Sequence, residues 1–383
     1  MTPSPRSSPP RSPEPAARRI GVLGMGSHLP QRVRTNDEVA GTTGVSPQWI
    51  VERTGVLTRH VAAPDEAASD LAAAAVRAAT AAAGLEIADL GLLICATSTP
   101  DELGPSTACR VQDRLGAVHS VALDVSAACS GWLFAVKVAH DWLAAHHGRL
   151  YAAVVGVEAY SKFLDPADRG TSVLFGDGAA ACVLGPVGDQ DGFTSFDLGS
   201  DGSLAGSVLI PGGGSRRPAT EHTLRDGSHF IHMDGRTVSR FMRERFPRMV
   251  DEALVRGGLK LGDIDCVIAH QPNPVALRAL GRELGIDADR LVITGDEVGN
   301  IGAASAPYAL TSAAARGLLQ PGHQVLIVVF GAGMTWGTAL LRWSGAPAVR
   351  TGPVKPAPTP FPAVVPRAGV LPLPDDPRER PTS

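Results

Sequence analysis

Two segments of the chain, residues 89–100 "DLGLLICATSTP" and residues 263–274 "DIDCVIAHQPNP", align without a gap and share Asp, Ile and Pro in register. Each segment contains an apolar run and follows an Ala- or Leu-rich helical stretch that ends at a Gly. Because self-similarity within a chain is the signature of a repeated supersecondary unit, we predict that one βα unit occurs twice.

The likeness continues downstream of both segments. Each copy has a short helix ending in Leu-Gly, at 115–116 and 284–285, followed by a strand and a turn of small residues. The first turn is "SAACSGW" and the second is "EVGNIGAAS", so Cys129 and Asn300 hold corresponding positions. We therefore expect two βα halves related by a pseudo-twofold axis, with both turns and the loop after "CVIAH" directed towards one central cavity.

Apolar runs of strand length alternate with helical segments through the middle of the chain, which predicts an α/β fold. We place an N-terminal half at 19–185 and a C-terminal half at 186–343. Both ends of the chain are rich in Pro, Ser and Arg, and we expect disordered tails at 1–18 and 344–383. A helix predicted at 236–258 should be interrupted at its proline, Pro247.

The composition excludes several classes of protein. Hydrophobic residues make up 44% of the chain and the formal net charge is -3, so no general attraction to nucleic acid or anionic lipid is expected. No apolar run approaches the ~20 residues of a membrane span, and the amino terminus lacks the apolar centre of a secretory signal. The five cysteines lack metal-ligand spacing, which is typical of reduced thiols in a cytoplasmic protein without a metal site.

Two glycine-rich stretches do not match the motifs of cofactor-binding loops. The segment "GVLGMG" at 21–26 does not complete the dinucleotide-binding pattern, and "PGGGSRRP" at 211–218 lacks the spacing and the Lys of a phosphate-binding loop. We therefore expect no permanently bound cofactor.

Cys129 falls where an apolar strand gives way to a helix. At a helix start, unpaired backbone N–H groups and the helix dipole favour the thiolate over the thiol. The small residues around Cys129 also permit a sharp turn that exposes a nucleophile. A structural cysteine buried in a packed turn is the alternative, and this stretch does not decide between the two.

His270 and Asn300 are the candidate partners of this cysteine. His270 ends an apolar strand, where α/β sheets present functional groups, although a structural histidine with a satisfied ring is the alternative. Asn300 supplies an amide donor, and its alternative is a turn residue in the left-handed conformation. Together the three describe a nucleophile with two neutral donors that can stabilise an oxyanion or an enolate.

At these residues, and in "LPQRVRTNDEVA", "SPQWIVERTGV", "DPADRGTSVLFGDGAAACVLG" and "FGAGMTWGTALLRW", the sequence resembles the β-ketoacyl-acyl-carrier-protein synthase III family of condensing enzymes. The likeness spans roughly residues 19 to 343. It implies a thiolase-like fold with a layered α/β/α/β/α core, and a homodimer. It also implies that Cys129 takes an acyl group from coenzyme A, with the backbone N–H groups of Cys129 and Ala332 as oxyanion hole. His270 and Asn300 would assist decarboxylation of a malonyl thioester.

The resemblance further implies a binding site for the coenzyme A thioester as substrate. It assigns stacking on adenine to Trp49 and phosphate binding to Arg53 and Arg169. The pantetheine arm is expected to run along three further residues, Met233, Gly235 and Asn273.

Two departures from the family pattern concern specificity. Val275 stands where family members often carry an arginine that receives the acyl carrier protein, with Arg278 or Arg282 as a possible substitute. Leu103 and Gly104 lie on the loop that gates the partner's acyl pocket in family dimers, and the small Gly104 should admit a longer or branched acyl group. Malonyl-acyl carrier protein and malonyl-coenzyme A both remain open as the second substrate.

Three functions are compatible with these residues. The first is a condensing enzyme that primes fatty-acid or polyketide synthesis, and the composition and the two departures favour the polyketide pathway. The second is an acyltransferase that passes the acyl group to an alcohol or amine, against which the retained Asn300 argues. The third is an inactive pairing subunit, which has no need of an intact Cys, His and Asn set.

Overall fold

The computed structural model describes residues 18–145 and 148–351. Most of the two predicted tails, at 1–17 and 352–383, lies outside these ranges. The strands of the described part are, in chain order, β1 (Ile20–His28), β2 (Arg32–Thr35), β3 (Thr58–Val61), β4 (Leu90–Ala96), β5 (Val121–Val125), β6 (Tyr151–Ala159), β7 (Asp177–Pro186), β8 (Gly192–Ser200), β9 (Val208–Leu209), β10 (His232–Met233), β11 (Cys266–Ala269), β12 (Leu291–Val292), β13 (Gln324–Gly331), β14 (Thr335–Arg342) and β15 (Ala348–Thr351).

The α-helices of the same ranges are α1 (Asn36–Thr43), α2 (Pro47–Thr54), α3 (Ala68–Ala82), α4 (Thr107–Leu115), α5 (Gly131–Ala145), α6 (Glu221–Arg225), α7 (Gly235–Gly257), α8 (Pro274–Glu283), α9 (Gly295–Val298) and α10 (Ser305–Ala315). Short 3₁₀ helices connect several of these elements. Three of them lie beside the site described below, at Ala128–Ser130, Tyr160–Phe163 and Gly302–Ala304.

Two sheets of matching topology form the core. The first has the order β15-β1-β7-β6-β4-β5 and the second the order β12-β11-β13-β14-β8. The run β1-β7-β6-β4-β5 of the first sheet corresponds to the run β8-β14-β13-β11-β12 of the second. In both runs two antiparallel pairings are followed by two parallel pairings. The predicted repeat of two βα halves is therefore confirmed, and the two aligned segments contain the corresponding strands β4 and β11.

The two sheets are packed in layers with helices. Helices α5 and α10 lie between the sheets in one continuous apolar cluster. Helices α3 and α4 cover the outer face of the first sheet, and α7 and α8 cover the outer face of the second. Strands such as β6 bury side chains on both faces, which is why they read as uninterrupted apolar runs. This is the predicted α/β/α/β/α arrangement.

Three of the differences between the structure and the sequence predictions lie in or against the two main sheets. Residues 348–351, placed in the disordered tail, form β15, which pairs in parallel with β1. Helix α7 continues through Pro247, because a stripe of buried side chains that includes Phe246 and Val250 holds it against the second sheet. Strand β8 was not predicted from the sequence, since its polar and small residues leave it only partly buried at the sheet edge.

The two halves come closest at the turns that carry the candidate residues. A Cβ atom placed on Gly331, at the end of β13, would lie 2.7 Å from the backbone nitrogen of Cys129. In the mirrored contact, a Cβ on Gly156 in β6 would lie 2.6 Å from the carbonyl carbon of Ala303. Real Cβ atoms do not approach backbone this closely, so a missing side chain at both positions permits the contact between the halves.

Helix α3 packs on β1 through a similar close approach, which gives a test of the fold. A Cβ on Gly26 would meet the backbone of Ala79 and would lie 2.6 Å from the carbonyl oxygen of Ala75. We expect Gly26→Ala to lower the free energy of unfolding by about 1–3 kcal/mol, because the helix has to shift. The measurement is chemical denaturation followed by circular dichroism.

The matched control for this substitution is Gly41→Ala in α1. A Cβ at Gly41 meets no heavy atom within 4 Å. Because alanine is the better helix former, we expect this variant to be neutral or slightly stabilised. Equal stability of the two variants would contradict the packing described for β1 and α3.

Candidate active site

A cavity of about 540 Å³ lies where the two halves meet. Its lining includes every residue predicted for the nucleophile, the donors, the oxyanion hole and coenzyme A binding: Cys129, His270, Asn300, Ala332, Trp49, Arg53, Arg169, Met233, Gly235 and Asn273. The structure thus brings together residues that lie up to 283 positions apart in the chain, the distance from Trp49 to Ala332. Leu103 and Gly104 do not line this cavity.

Cys129 projects into the cavity from a sharp turn after β5. The preceding residue, Ala128, has a φ of 47°, and within the described ranges it is the one non-glycine residue in the left-handed region. The 3₁₀ helix Ala128–Ser130 then leads directly into α5. This strain matches the predicted nucleophile turn, since a residue held at positive φ persists only where its surroundings impose it.

The protonation state of Cys129 differs from the expectation. Burial raises the pKa of the Cys129 thiol to about 12, and the charge of Glu158 acts in the same direction, while a hydrogen bond from Tyr160 opposes them. Desolvation disfavours the charged thiolate and thus acts against the amino-terminal end of α5, which favours it. The free site therefore holds a thiol at neutral pH.

His270 follows β11 at the predicted strand end. Its backbone nitrogen donates to the carbonyl of Val328, and its ring stands edge-on to Phe330 with 5.2 Å between centroids. Burial lowers the pKa of His270 to about 3, so the imidazole is neutral. Its buried Nδ1 has no hydrogen-bond partner within the described ranges, which argues against the alternative of a structural histidine with a satisfied ring.

Asn300 is held in place by backbone and side chain together. It forms an isolated bridge with Phe175, and its Oδ1 accepts a hydrogen bond from the backbone nitrogen of Gly302 at 2.9 Å. Since Oδ1 is occupied, the amide Nδ2 is the end that can donate into the cavity. Gly299 and Gly302 hold the left-handed positions of this turn, so the alternative of a left-handed Asn300 is wrong.

Ala332 belongs to the turn between β13 and β14, and Thr335 fixes that turn against the cysteine. Thr335 Oγ1 lies 3.1 Å from the carbonyl oxygen of Ala332 and 3.0 Å from that of Ala127. It also lies 2.8 Å from Ser130 Oγ. These contacts set the backbone of Ala332 relative to that of Cys129, as two oxyanion donors require.

The residues predicted to bind coenzyme A lie along the outer part of the cavity. Arg53 and Arg169 are exposed, and Trp49 is partly buried. The side chain of Asn273 is engaged at both ends, because its amide donates to the carbonyl of Arg53 and its Oδ1 caps α8 at Ala276. These two hydrogen bonds fix the side chain of Asn273 in the lining of the cavity.

The two departures from the family pattern both lie at the surface. Leu103 is 86% exposed, and Gly104 beside it is also exposed. Val275 is 40% exposed next to the mouth of the cavity. Arg278, considered as a substitute contact for a carrier protein, pairs with Asp296 at 2.7 Å.

Sequence reasoning missed Glu158 and Tyr160, both of which influence the pKa of Cys129. Glu158 is fully buried, and burial raises the pKa of its carboxyl to about 7. Its oxygens accept hydrogen bonds from the backbone nitrogen of Ser98 and from Thr99 Oγ1 at 2.9 Å. The signal was visible as a single acidic residue within the apolar run "YAAVVGVEA" at 151–159.

Gln271 is a second residue that the sequence did not single out. Its amide donates to the carbonyls of Ala269 and Val292, and its Oε1 accepts from the backbone nitrogens of Thr294 and Gly295. Gln271 thus ties together the ends of β11 and β12 directly behind His270.

Within residues 18–145 and 148–351, no group of three or more His, Cys, Asp or Glu side chains is placed to hold a metal ion. In the same ranges no helix has both the length and the apolar character needed to cross a bilayer. The five cysteines are all free.

Comparison with known proteins finds relatives along most of the chain. The sequence model of 3-oxoacyl-[acyl-carrier-protein] synthase III matches residues 123–202, and that of the C terminal part of the same family matches residues 254–343. The β-ketoacyl-[acyl-carrier-protein] synthase III of Desulfitobacterium hafniense is 42% identical over 85% of this chain and 98% of its own length. The acetoacetyl CoA synthase NphT7 of a Streptomyces species is 41% identical over 85% and 99%.

A solved structure shows the same architecture. The 3-oxoacyl-(acyl carrier protein) synthase III of Pseudomonas aeruginosa superposes with a TM-score of 0.78 at 38% identity, covering 85% of this chain and 99% of that one. The predicted thiolase-like fold and the predicted resemblance are therefore both confirmed. Because a family member is 42% identical and is covered over 98% of its length, the chain belongs to the 3-oxoacyl-[acyl-carrier-protein] synthase III family of condensing enzymes.

Proposed function

We propose that Cys129 accepts an acyl group from acyl-coenzyme A and that this group then condenses with a malonyl thioester to give a 3-oxoacyl product. The observation that carries the proposal is the shared cavity, which is lined by a cysteine on a strained turn, a neutral histidine and an asparagine. Acyl transfer needs donors to an oxyanion, and decarboxylation needs donors to an enolate oxygen. The lining of this cavity contains candidates for both.

In the first half-reaction the sulfur of Cys129 attacks the thioester carbonyl. The developing oxyanion is stabilised by the backbone N–H groups of Cys129 and Ala332, which Thr335 holds together. A carbon–sulfur bond to Cys129 forms and the bond to coenzyme A breaks. Coenzyme A leaves as a thiol and takes up the proton that Cys129 releases.

In the second half-reaction the malonyl carboxylate leaves as carbon dioxide, and its electron pair collects on the thioester oxygen as an enolate. His270 is neutral, and Asn300 has its Oδ1 occupied, so both act as hydrogen-bond donors to that oxygen. The enolate carbon attacks the acyl–Cys129 carbonyl. The new carbon–carbon bond forms as the bond to sulfur breaks, and Cys129 regains its proton.

The malonyl group reaches the site on acyl carrier protein or on coenzyme A. The names of the two relatives point to different carriers, and Arg278 is engaged by Asp296 in this chain. Comparing kcat/KM for malonyl-coenzyme A and malonyl-acyl carrier protein decides between them. Two findings would identify the pathway as fatty-acid or polyketide synthesis: which acyl group the enzyme accepts, and what becomes of its product.

We further propose a homodimer in the cytoplasm. Strand β5 is an unpaired edge of the first sheet, and near it Leu103, Val118 and Val121 are 86%, 77% and 47% exposed. A second copy of the chain placed there would cover the apolar surface and extend the sheet. The five free cysteines fit the reducing conditions of the cytoplasm.

The first prediction separates the two half-reactions. Cys129→Ala should abolish acyl loading from acyl-coenzyme A, because the nucleophile is absent. His270→Ala and Asn300→Ala should retain loading within about tenfold, while condensation falls by at least 100-fold through loss of a donor to the enolate. Loading is read by intact mass, and condensation by carbon dioxide release after addition of the malonyl thioester.

The same assay discriminates between the alternative functions. Loading without carbon dioxide release in the wild type would favour transfer to an alcohol or amine. If no acyl group becomes attached to Cys129, the inactive pairing subunit remains as the function of the chain. Equal loss of both steps in His270→Ala and Asn300→Ala would contradict the assigned roles of these two residues.

The second prediction concerns pH. Because burial raises the pKa of Cys129 to about 12, the thiolate fraction of the free enzyme should rise about tenfold per pH unit through the neutral range. Alkylation of Cys129 by iodoacetamide between pH 6 and 9 should follow this slope, and Glu158→Gln should accelerate it at pH 8 by removing a neighbouring negative charge. A rate that is already flat at pH 6 would indicate a low-pKa thiolate instead.

The third prediction tests the dimer. Val121→Glu places a charge on the exposed edge strand and should shift the wild-type dimer towards the monomer, as measured by light scattering after size exclusion. Val255→Glu is the matched control, because Val255 is 81% exposed on α7 in the other half of the chain. Identical masses for both variants and the wild type would argue against an interface at β5.

A further inference from the structure

Tyr160 is a polar side chain of the cavity that neither half-reaction derived above uses. It begins the 3₁₀ helix that follows β6, it is 5% exposed, and it lines the cavity together with Cys129. Its hydroxyl oxygen lies 4.0 Å from Cys129 Sγ, which is within reach of a hydrogen bond to sulfur. A buried hydroxyl group therefore stands beside the atom at which both half-reactions take place.

Two neighbours hold the ring of Tyr160 in this position. The ring packs against that of Phe175, with 4.8 Å between the centroids. It also lies on the backbone of Gly302, where a Cβ atom would come within 2.6 Å of the Tyr160 hydroxyl oxygen and 2.7 Å of its Cε2. Gly302 thus leaves room for the ring, and both contacts keep the hydroxyl next to the sulfur.

The hydroxyl of Tyr160 retains its proton over the working range of pH. Burial raises the pKa of Tyr160 well above its usual value, and the charges of Cys129 and Glu158 act in the same direction. A thiolate has no proton to offer. In a hydrogen bond between the two groups Tyr160 is therefore the donor, and the charged sulfur is the acceptor.

Negative charge appears on Sγ in both half-reactions, yet the other donors of the site serve oxygen atoms. The N–H groups of Cys129 and Ala332 donate to the oxyanion, and His270 and Asn300 donate to the enolate oxygen. Burial and the charge of Glu158 both disfavour a charged sulfur. A donor aimed at the sulfur is what the derived mechanism lacks.

We propose that Tyr160 is a catalytic residue whose hydroxyl donates a hydrogen bond to the sulfur of Cys129 while that sulfur carries negative charge. The proposal rests on the function proposed above and adds one donor to each of its half-reactions. At 4.0 Å the contact is long in the free site. Catalytic hydrogen bonds often tighten only when the reacting groups are in place, and bonds to a charged partner are shorter.

The hydroxyl changes no bond and needs no further reactant. In loading, Sγ gains the acyl carbon, the bond to coenzyme A breaks, and the proton of Cys129 passes to the coenzyme A sulfur as above. In condensation, the electron pair of the breaking carbon–sulfur bond returns to Sγ, which then regains its proton. In both steps Tyr160 keeps its own proton and stabilises the sulfur only while it is charged.

The first test measures the thiolate without coenzyme A chemistry. Tyr160→Phe keeps the ring and removes the hydroxyl, so alkylation of Cys129 by iodoacetamide should be about tenfold slower at each pH from 6 to 9. That loss equals a shift of about one pH unit in the profile. Phenylalanine is smaller than tyrosine, so the reagent is not obstructed. Peptide mapping separates Cys129 from the exposed Cys109.

Tyr151→Phe is the matched control. Tyr151 begins β6, the strand that leads to Tyr160, and its side chain does not line the cavity. We expect this variant to be alkylated at the wild-type rate. Incorporation of 3-fluorotyrosine at all three tyrosines makes each phenol a stronger donor and should accelerate alkylation in the wild type but not in Tyr160→Phe.

The second test follows acyl loading from acetyl-coenzyme A by intact mass. In Tyr160→Phe the maximal loading rate should fall about tenfold, while the acetyl-coenzyme A concentration at half-maximal rate stays the same, because the hydroxyl contacts the sulfur. Condensation should fall as well. This pattern differs from that of His270→Ala and Asn300→Ala, which spare loading.

The outcomes separate this proposal from the proposed function. If the wild type takes no acyl group from acetyl-coenzyme A but Tyr160→Phe still slows alkylation, the proposed function fails and the hydrogen bond to the sulfur stands. If the wild type loads and condenses while Tyr160→Phe matches it in alkylation and loading, the role of Tyr160 is overturned. An equal loss in Tyr151→Phe, or equal acceleration by 3-fluorotyrosine in the absence of Tyr160, would overturn it as well.

Discussion

The structure depends on the close approach of two turns to the central strands of the opposite halves. Gly331 lets the end of β13 pass against the backbone of Cys129, and Gly156 lets β6 pass against Ala303. A side chain at either glycine would push the halves apart. Because the cavity lies at these contacts, backbone packing between the halves sets its shape.

Burial at this junction determines the charge of the site. The same desolvation lowers the pKa of His270, raises that of Cys129 and raises that of Glu158. A neutral imidazole and an amide can donate to an enolate oxygen without first attracting the malonyl carboxylate that has to leave. In a site with little water, each such hydrogen bond is also stronger than it would be in solution. Uncharged donors therefore suit decarboxylation. Because burial keeps Cys129 protonated, its sulfur becomes nucleophilic only when that proton leaves.

Those parts of the molecule that depend on local pattern could be predicted from the sequence. Strands buried on both faces appear as apolar runs, and the internal repeat alone located β4, β11 and both turns. Strand β15 was missed because its pairing with β1 joins residues more than 300 positions apart, which leaves no local pattern. Pro247 indicated a break, but burial of the helix face outweighed the lost hydrogen bond. Tyr160 was missed because its contact with the sulfur of Cys129 joins residues 31 positions apart and leaves no local pattern.

The two turns show how one duplicated scaffold provides two different chemical groups. In the first turn a non-glycine residue, Ala128, occupies the left-handed conformation, and the strain projects Cys129 towards the cavity. In the second turn glycines take the left-handed positions, so Asn300 stays extended, bridges to Phe175 and has its Oδ1 occupied by Gly302. Equivalent backbone positions thus present a thiol on one side and an oriented amide on the other. A single copy of the unit has one such turn, so both groups meet in one cavity only because the two halves pack face to face.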